Sequence, residues 1–280
     1  TSYQLGGPAA VGLEAETADD LAALGEALAA TGLPLLVVGR GSNMLVSDRG
    51  FPGIALRLGP GFRWARTDGA EIEAGGAMPV PALSALAASE GLTGFEFAAA
   101  IPASLGGAIA MNAGAHGRAV GEVLRTATVF DLGSAEERIL DVAAIGFRYR
   151  SSDLPRRNVV VAGRLGLAPG APAAIAAGMR EAKQWRRATQ PVGLPNAGSV
   201  FKNPPGDAAG RVVERAVGKG TRVGGARVSE VHANFIVTEA GATADDVHSL
   251  IRKIQRMVRD NEGVELETEV KLVGEFREVE

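Results

Sequence analysis

Apolar and polar positions alternate along the chain in patterns that predict amphipathic helices separated by short strands. The segment TADDLAALGEALAATG predicts a helix that Thr17 caps and Gly32 ends. Further helices are predicted in PVPALSALAASEG, in MREAKQWRR, and from Thr243 to about Asn261. The Pro/Ala-rich stretch APGAPAAIAAG lies before the third of these helices and is the best candidate for a linker between two halves of the chain.

The predicted strands are short apolar runs bounded by turn residues. They are LPLLVVG, MLVSD, the two arms of RTATVFDLGSAEERIL, RNVVVAGRLG, GARVSEV, NFIVTEAG and VELETEVKLVG. In the last run, strict alternation predicts that Val264, Leu266, Thr268, Val270 and Leu272 share one face. The opposite face would then carry Glu265, Glu267, Glu269 and Lys271.

Length and composition indicate a packed globule of one large domain or of two to three smaller lobes. The chain has 280 residues, of which 46% are hydrophobic and 22% charged. Its 38 glycines, against 5% aromatic residues, suggest tight turns and backbone brought close to a ligand. The absence of cysteine excludes disulfides and cysteinyl metal centres, and it fits a reducing compartment. A net charge of −3 argues against non-specific nucleic-acid binding, and no leader or membrane span is predicted.

A first glycine segment, VVGRGSNMLV, follows directly on a predicted buried strand. Gly39 and Gly41 suggest a dinucleotide-binding turn, but the third glycine of that motif would fall at Met44, and a strand follows in place of a helix. What remains is a turn with exposed backbone amides and the short polar side chains of Ser42 and Asn43. Such a turn can bind a phosphate, but for this stretch alone an ordinary tight turn is the favoured interpretation.

A second segment, IPASLGGAIAMNAGAHG, is rich in small residues. Its small or polar positions are Ser104, Gly106, Gly107, Asn112, Gly114 and Gly117. Small side chains allow the backbone to lie against a flat or phosphorylated ligand, and they equally allow a close helix–helix contact. Two such segments in one half of the chain favour a long ligand with a pyrophosphate at its middle.

A third segment, NAGSVFKNP, presents Ser199 after a small and flexible Asn-Ala-Gly lead-in. Lys202 and Asn203 follow, and no histidine stands nearby to make the serine a nucleophile. The residues alone therefore leave the role of Ser199 open.

The ordered set of motifs resembles the MurB family of UDP-N-acetylenolpyruvoylglucosamine reductases. The motifs are TSYQLGGPA, GRGSNMLV, IPASLGGAIAMNAGAHG, FRYRSSDL, NAGSVFKNP, AGRVVERAVGKG, GGARVSEVHANFIV and LETEVKLVG. The resemblance runs from Thr1 to about Phe276 and implies an α+β protein with an FAD-binding fold of the vanillyl-alcohol-oxidase/PCMH type. It implies an FAD-binding domain over residues 1–167, with subdomains of about 1–56 and 57–167, and a C-terminal α+β substrate-binding domain over 168–280.

The resemblance also implies the reaction and its participants. The family uses NADPH and FAD to reduce the enolpyruvyl ether of a UDP-sugar to UDP-N-acetylmuramate, a step of peptidoglycan synthesis. The FAD would be non-covalent, no metal would be needed, and the partners would be the UDP-sugar and NADPH. No nucleic acid, membrane or obligate protein partner is expected, and the location would be cytoplasmic.

Carried over by motif, the family pattern assigns three sets of site residues. The catalytic set is Ser199, Arg150 and Glu269. The FAD-binding set is Gly39, Arg40, Gly41, Ser42, Asn43, Ser104, Gly106, Gly107, Asn112, Gly114, Ala115 and Gly117. The substrate-binding set is Lys202, Asn203, Arg211 and Asn234.

The implied chemistry gives each catalytic residue a role. Ser199 would donate a proton to C2 of the enolpyruvyl group as a general acid, a task that needs no histidine. Arg150 would grip the carboxylate, although a surface arginine beside Arg148 fits the sequence equally well. Glu269 would help to polarise or protonate the enol intermediate. A group of cations, Arg211, Lys219, Arg222 and Arg227, is expected to attract the anionic substrate.

Two departures from the family pattern stand in the second segment. Ala103 replaces a usual glycine and His116 an often-found tyrosine, and the stretch between Arg150 and Ser199 indicates a short form without the tyrosine-bearing lid loop. Two functions other than that of the family are also considered. One is another FAD-dependent sugar or hydroxy-acid oxidoreductase of the same fold, with covalent flavin. The other is a non-catalytic nucleotide-binding module.

Overall fold

The computed structural model describes residues 1–277. The helices are α1 (Ala18–Thr31), α2 (Val80–Ser89), α3 (Leu105–Ala110), α4 (Val142–Ile145), α5 (Pro172–Thr189), α6 (Ala209–Ala216) and α7 (Ala244–Glu262). The strands are β1 (Ala9–Ala15), β2 (Leu35–Val37), β3 (Met44–Val46), β4 (Phe51–Leu58), β5 (Ala65–Asp68), β6 (Glu71–Gly75), β7 (Leu92–Thr93), β8 (Gly114–Ala115), β9 (Arg118–Ala119), β10 (Leu124–Asp131), β11 (Glu136–Asp141), β12 (Asn158–Gly166), β13 (Ala168–Pro169), β14 (Arg222–Val223), β15 (Ala226–Val228), β16 (Ile236–Thr238) and β17 (Lys271–Val273). Helices beside mainly antiparallel sheets confirm the predicted α+β class.

The chain packs into two compact units, and neither is continuous in sequence. The terminal unit combines Thr1–Ala10, Gly41–Pro52 and the chain from Arg186 onward. The central unit combines Val11–Arg40 and Gly53–Trp185. These units are defined by packing, so the predicted division by ligand into residues 1–167 and 168–280 stays a prediction.

A five-stranded antiparallel sheet, in the order β11-β10-β12-β6-β5, forms the middle of the central unit. Helix α3 lies directly on β12, since a side chain at Gly163 would come within 2.7 Å of the Ile109 methyl. The core that joins α2 and α3 to this sheet includes Ile72, Leu83, Leu105, Ile109 and Leu165, all fully buried. The sheet therefore packs against α3, the helix of the second small-residue segment.

Helix α1 packs on a second sheet of the central unit, in the order β1-β4-β2, where β2 and β4 are parallel. Thr17 and Asp20 form a capping box at its start, and Gly32 ends it with a φ of 66°. Leu21, Leu24 and Leu28 are buried in the same core as Ile54 and Leu56 of β4. The helix predicted from its caps is confirmed.

In the terminal unit, α6 and α7 pack with the antiparallel sheet β14-β15-β16. Thr243 caps α7, and its buried residues Val247, Leu250, Ile251, Ile254 and Val258 have helical spacing. This face shares one core with the buried Phe201 and Leu266, which come from the segments that carry the predicted catalytic residues. The long predicted helix from Thr243 is confirmed.

Two sequence-based predictions need correction. VELETEVKLVG is a strand only from Lys271, where it pairs in parallel with β3, so the alternation breaks there. Leu272 is consequently 39% exposed, while Val270 and Val273 are both buried. The predicted linker APGAPAAIAAG is also partly wrong, because α5 already begins at Pro172. Proline is well tolerated at the first position of a helix, where its missing N–H is not needed.

Candidate active site

The start of the first segment predicted to bind FAD, Gly39 and Arg40, meets the second segment within the central unit. A Cβ atom on Gly39, after β2, would lie 2.5 Å from the hydroxyl oxygen of Ser104, the N-cap residue of α3. Only glycine permits this approach without displacing the serine. The turn that begins at Gly39 therefore touches the start of the second small-residue segment, while the neighbouring Arg40 is exposed.

Gly106 and Gly107 differ in what surrounds them, although the sequence treats them alike. A Cβ on Gly106 would lie 2.8 Å from the Val160 carbonyl oxygen, and the Gly106 N–H donates to the Gly76 carbonyl. A Cβ on Gly107 would meet only the Ser104 hydroxyl, at 3.3 Å, among the described atoms within 4 Å. Gly106 is thus required by packing against the sheet, whereas Gly107 has an open face. Ala103 does not have a positive φ, so its replacement of glycine causes no backbone strain.

The end of the same segment is stabilised by Asn112, which has a φ of 43°. Its Oδ1 accepts from the Gly121 N–H and its Nδ2 donates to the Arg148 carbonyl, both at 3.0 Å. Strands β8 and β9 then form a hairpin whose turn, His116 and Gly117, has a positive φ at both positions. The Asn112 side chain thereby supports the backbone near the predicted Arg150, and its contact with FAD stays a prediction.

Arg148 and Arg150, which the sequence could not separate, have different surroundings. The Arg148 guanidinium is exposed and donates to both carboxylate oxygens of Asp153 at 2.7 Å. Arg150 has a φ of 55° and is half-buried. Its Nη1 lies 3.1 Å from the place that a Cβ on Gly114 would occupy. Arg150 therefore extends along the predicted FAD-binding segment, while Arg148 makes a surface ion pair.

In the terminal unit, the lead-in to Ser199 forms a hydrogen-bonded turn. Asn196 Oδ1 accepts from the Gly198 N–H at 3.0 Å, and its Nδ2 donates to the Leu194 carbonyl at 2.7 Å. Ala197 is buried and Gly198 has a φ of 76°. Ser199 is half-buried, and its hydroxyl makes no hydrogen bond to any residue within 1–277. A fixed backbone thus presents a hydroxyl that is available to a ligand.

The structure brings the segment of Ser199 beside that of Glu269. The Glu269 N–H donates to the Val200 carbonyl at 2.8 Å, and Phe201 forms an antiparallel bridge with Thr268. These contacts lie one and two residues beyond Ser199. Two catalytic residues predicted from distant parts of the sequence therefore lie on neighbouring, hydrogen-bonded segments.

Asn43, predicted to bind FAD, holds the Glu269 backbone. Its Nδ2 donates to the Glu269 carbonyl at 3.0 Å, and its own carbonyl accepts from the Lys271 N–H at 3.0 Å. The neighbouring Gly41 has a φ of 63°, and its carbonyl accepts from the Ser2 N–H, while Ser42 between them is half-buried. No local sequence signal predicts the link between Asn43 and Glu269, because the two residues are 226 positions apart.

Three of the predicted substrate-binding side chains already have partners in the protein. Lys202 Nζ lies 2.6 Å from Glu267 Oε1, and Asn203 Oδ1 accepts from the Ala209 N–H at the start of α6. Asn234 is buried, and both ends of its amide contact the Phe201 backbone. Their contacts with substrate stay predictions.

Each of the four cations expected to attract the substrate pairs with a carboxylate of the protein, and the attraction itself stays a prediction. The pairs are Arg211 with Asp207 at 2.7 Å, Lys219 with Glu214 at 3.1 Å, Arg222 with Glu239 at 2.9 Å and Arg227 with Glu239 at 3.3 Å. The hydrogen bond from Arg211, with that from the Ala208 N–H, lowers the pKa of Asp207 to about 2. In each pair at least one side chain is exposed, and the two charges of such a pair largely neutralise each other locally and contribute little long-range attraction.

The two partly buried histidines have structural surroundings. His232 Nδ1 accepts from the Asn234 N–H at 3.1 Å, and burial, with the positive charge of Lys219, lowers its pKa. His248 stacks on Phe276 with ring centres 4.6 Å apart. Among residues 1–277, no group of three or more His, Cys, Asp or Glu side chains could hold a metal ion. No helix in that range is long and apolar enough to cross a membrane.

Comparison with known proteins first defines the class. Residues 9–136 match the FAD binding domain family. This range includes Gly39–Asn43 and the small-residue segment from Ser104 to Gly117. Residues 190–273, which include Ser199 and Glu269, match the family described as UDP-N-acetylenolpyruvoylglucosamine reductase, C-terminal domain. The protein is therefore an FAD-containing oxidoreductase.

Similar proteins then define the family. UDP-N-acetylenolpyruvoylglucosamine reductase 2 of Symbiobacterium thermophilum is 45% identical over 98% of this chain and 89% of its own length. The reductase of Bacillus velezensis is 40% identical over 98% of this chain and 91% of its own. The crystal structure of the reductase (MurB) from Thermus caldophilus matches with a TM-score of 0.82 and 35% identity, over 94% of this chain and 92% of that one. This chain belongs to the UDP-N-acetylenolpyruvoylglucosamine reductase family, which confirms the predicted resemblance.

Proposed function

We propose that this chain carries out the reaction of its family with Ser199 as proton donor, Arg150 as carboxylate-binding group and Glu269 as a second acid. As a family member it reduces the enolpyruvyl ether of UDP-N-acetylglucosamine to UDP-N-acetylmuramate with NADPH, in peptidoglycan synthesis. The observation that carries the residue assignment is the hydrogen bond between Glu269 N and Val200 O, which joins the segments of the proposed acids.

FAD fits the residues of the central unit. The contact between Gly39 and Ser104, together with the open face of Gly107, supports close approach of a ligand to the backbone. When bound, and once reduced by NADPH, the flavin would supply the hydride for C3 of the enolpyruvyl group. The proposed holders of FAD remain the small-residue positions of the two segments, with Asn43 and Asn112 acting at least partly through the backbone that they stabilise.

Ser199 acts on the carbon next to the one that receives hydride. Addition at C3 leaves negative charge at C2, shared with the carboxylate as an enolate. A hydroxyl aimed at C2 donates its proton there: the serine O–H bond breaks, the C2–H bond forms, and the negative charge passes to the serine oxygen, which then regains a proton from solvent. The half-buried Ser199 hydroxyl, which has no partner within residues 1–277, supports this role.

Arg150 and Glu269 stabilise the same charge. A guanidinium can bind both carboxylate oxygens at once, and such preorganised donors contribute most where charge develops during the reaction. Arg150 is half-buried beside Gly114, whereas Arg148 is exposed and pairs with Asp153. This difference supports Arg150 as the carboxylate-binding group. Glu269 is oriented by backbone contacts to Val200 and Asn43.

The substrate contacts are proposed in the terminal unit. Lys202 can exchange Glu267, which is 71% exposed, for an anionic group of the UDP-sugar. Arg211 could do the same with Asp207, and Asn203 supports the start of α6. The cytoplasmic location and the absence of an obligate protein partner stay predictions.

The proposed activity has a direct test. The purified protein should oxidise NADPH when the enolpyruvyl UDP-sugar is added and should form UDP-N-acetylmuramate in equal amount. UDP-N-acetylglucosamine, which lacks the double bond, is the matched control and should give no product. Equal NADPH consumption with both sugars would contradict the assignment.

Substitution at Gly107 tests the proposed FAD-binding segment. A valine side chain would occupy the open face without striking the sheet, so we expect Gly107→Val to fold and to bind FAD at least about tenfold more weakly. Titration of the apoprotein with FAD gives the affinity, and thermal unfolding reports on the fold.

Two further glycines serve as references for that measurement. Gly12 also has open space around it but lies in β1, outside the proposed site, so Gly12→Val should keep its FAD affinity. Gly106→Val should instead lower the melting temperature, because its side chain would strike the Val160 carbonyl. Unchanged FAD affinity in Gly107→Val would refute the assignment of this face to FAD.

A further inference from the structure

Asn234 makes an unusual set of contacts beside the proposed proton donor. Its Oδ1 accepts from the Phe201 N–H at 2.9 Å and its Nδ2 donates to the Phe201 carbonyl at 2.8 Å. Its backbone carbonyl accepts from the Val200 N–H at 2.8 Å. Asn234 therefore hydrogen-bonds to both residues that follow Ser199.

Asn234 is itself held firmly. It is 4% exposed, and its N–H donates to His232 Nδ1 at 3.1 Å. A buried amide whose oxygen and one of whose two N–H groups already bond to the backbone is poorly placed to bind an incoming sugar or phosphate.

The opposite edge of the Ser199 segment is bonded to the Glu269 segment. Glu269 N donates to Val200 O, and Phe201 bridges Thr268. On the other edge, the Asn234 amide takes the place of a second strand, offering Phe201 one donor and one acceptor. Without the Asn234 amide, Phe201 would lose both of these hydrogen bonds, and this edge would keep only the bond from the Val200 N–H to the carbonyl of residue 234.

We propose that Asn234 is a positioning residue that orients Ser199 toward the substrate carbon, and that it does not bind the substrate itself. This inference rests on the proposed role of Ser199 as proton donor. Because a displacement of about 1 Å in a reacting group can cost about 10²-fold in rate, loss of this support should slow proton transfer strongly.

Asn234→Asp gives the sharpest test, because its hydrogen bonding depends on pH. An ionised carboxylate can accept from the Phe201 N–H but cannot donate to the Phe201 carbonyl, and the two oxygens would repel each other. A protonated carboxyl has one donor and one acceptor, like the amide. Burial against a carbonyl favours the protonated form, which brings the change into an accessible pH range.

The measurement is the single-turnover reoxidation of the reduced protein by the enolpyruvyl UDP-sugar between about pH 5 and about pH 9. We expect Asn234→Asp to be about 10²-fold slower than the unaltered protein at high pH and to approach it as the pH falls. Hydrogen exchange of the Phe201 amide provides a readout independent of activity, and it should be faster in the variant than in the unaltered protein, most of all at high pH, where the carboxylate lacks the second hydrogen bond.

Two variants keep the test decisive. Asn261 also donates through Nδ2 to a backbone carbonyl, that of Ala216, so Asn261→Asp is the matched control and should show no pH-dependent ratio to the unaltered protein. Asn234→Ala carries no titrating group and should be slow at every pH, with the dissociation constant of the sugar unchanged. If Asn234→Asp folds only at low pH, Asn234→Ala still tests whether loss of the amide slows proton transfer.

The outcomes separate this inference from the proposed function. A raised dissociation constant for the sugar, without pH-dependent recovery of the rate, would make Asn234 a substrate contact and overturn the inference. Normal reoxidation in both Asn234 variants, with slow reoxidation in Ser199→Ala, would overturn the inference alone. Normal reoxidation in Ser199→Ala would instead overturn the role of the serine on which the inference depends.

Discussion

Ser199→Ala should slow the reoxidation of the reduced flavoprotein by the enolpyruvyl UDP-sugar by about 10²–10⁴-fold, the usual contribution of a general acid. Its reduction by NADPH should stay near normal, because the proton is needed only after hydride has been transferred to the substrate. The fold and the yellow colour should also remain, since the Ser199 hydroxyl has no hydrogen-bond partner within residues 1–277. Stopped-flow absorbance of the two half-reactions measures both effects separately.

Two further serine variants give this measurement its controls. Ser199→Cys should recover part of the rate, because a thiol can also donate a proton. Ser229 is a buried serine of the same unit whose hydroxyl accepts from the Val231 N–H, so Ser229→Ala should lower stability without slowing one half-reaction selectively. Equal slowing of both half-reactions in Ser199→Ala would show that Ser199 is structural.

Arg150→Lys should reduce the rate of the same substrate-dependent step by about 10²–10³-fold, the cost of removing a preorganised donor to developing negative charge. Lysine keeps the positive charge but lacks the planar fork that binds both oxygens of a carboxylate. The rate of reoxidation at saturating substrate separates this loss from weaker binding.

Arg148→Lys is the matched control for Arg150, two residues away in the same turn. The Arg148 guanidinium is 71% exposed and pairs with Asp153, and an exposed pair of this kind contributes about 0–1 kcal/mol. Its replacement should leave both half-reactions almost unchanged. If the two lysine variants were equally impaired, or if Arg150→Lys were normal, the assignment of Arg150 to the substrate carboxylate would be wrong.

Helices with strong local signals could be predicted from the sequence, and strands that depend on distant partners could not. Thr17 and Thr243 mark the starts of α1 and α7 in the sequence, because each belongs to a capping box whose residues lie within one turn. The last strand was predicted several residues too long, because its true extent is set by pairing with β3. That partner lies more than 200 residues earlier, so no local pattern reveals it.

The candidate site follows the same division. Ser199, Arg150 and Glu269 could be named from motifs, but their surroundings could not. The turn that the Asn196 side chain closes onto Gly198 could not be read from the small residues of the Asn-Ala-Gly lead-in, which indicate only flexibility.

Long-range contacts account for the rest of the site. The amides of Asn43 and Asn234 contact backbone 226 and 33 residues away, and no local pattern in the sequence indicates these internal hydrogen bonds. The ligand contacts predicted for both residues stay predictions. Gly106 and Gly107 are adjacent in the sequence and differ through the approach of the Val160 and Gly76 backbone to Gly106 alone.

The most direct test of the whole account is anaerobic sequential mixing of the unaltered protein, first with NADPH and then with the enolpyruvyl UDP-sugar. We expect the flavin absorbance to be lost in the first step and restored in the second, with one UDP-N-acetylmuramate formed per flavin. The restored absorbance should depend on the enolpyruvyl double bond, so UDP-N-acetylglucosamine should leave the flavin reduced. A flavin that NADPH does not reduce, or that the enolpyruvyl sugar does not reoxidise, would contradict the account.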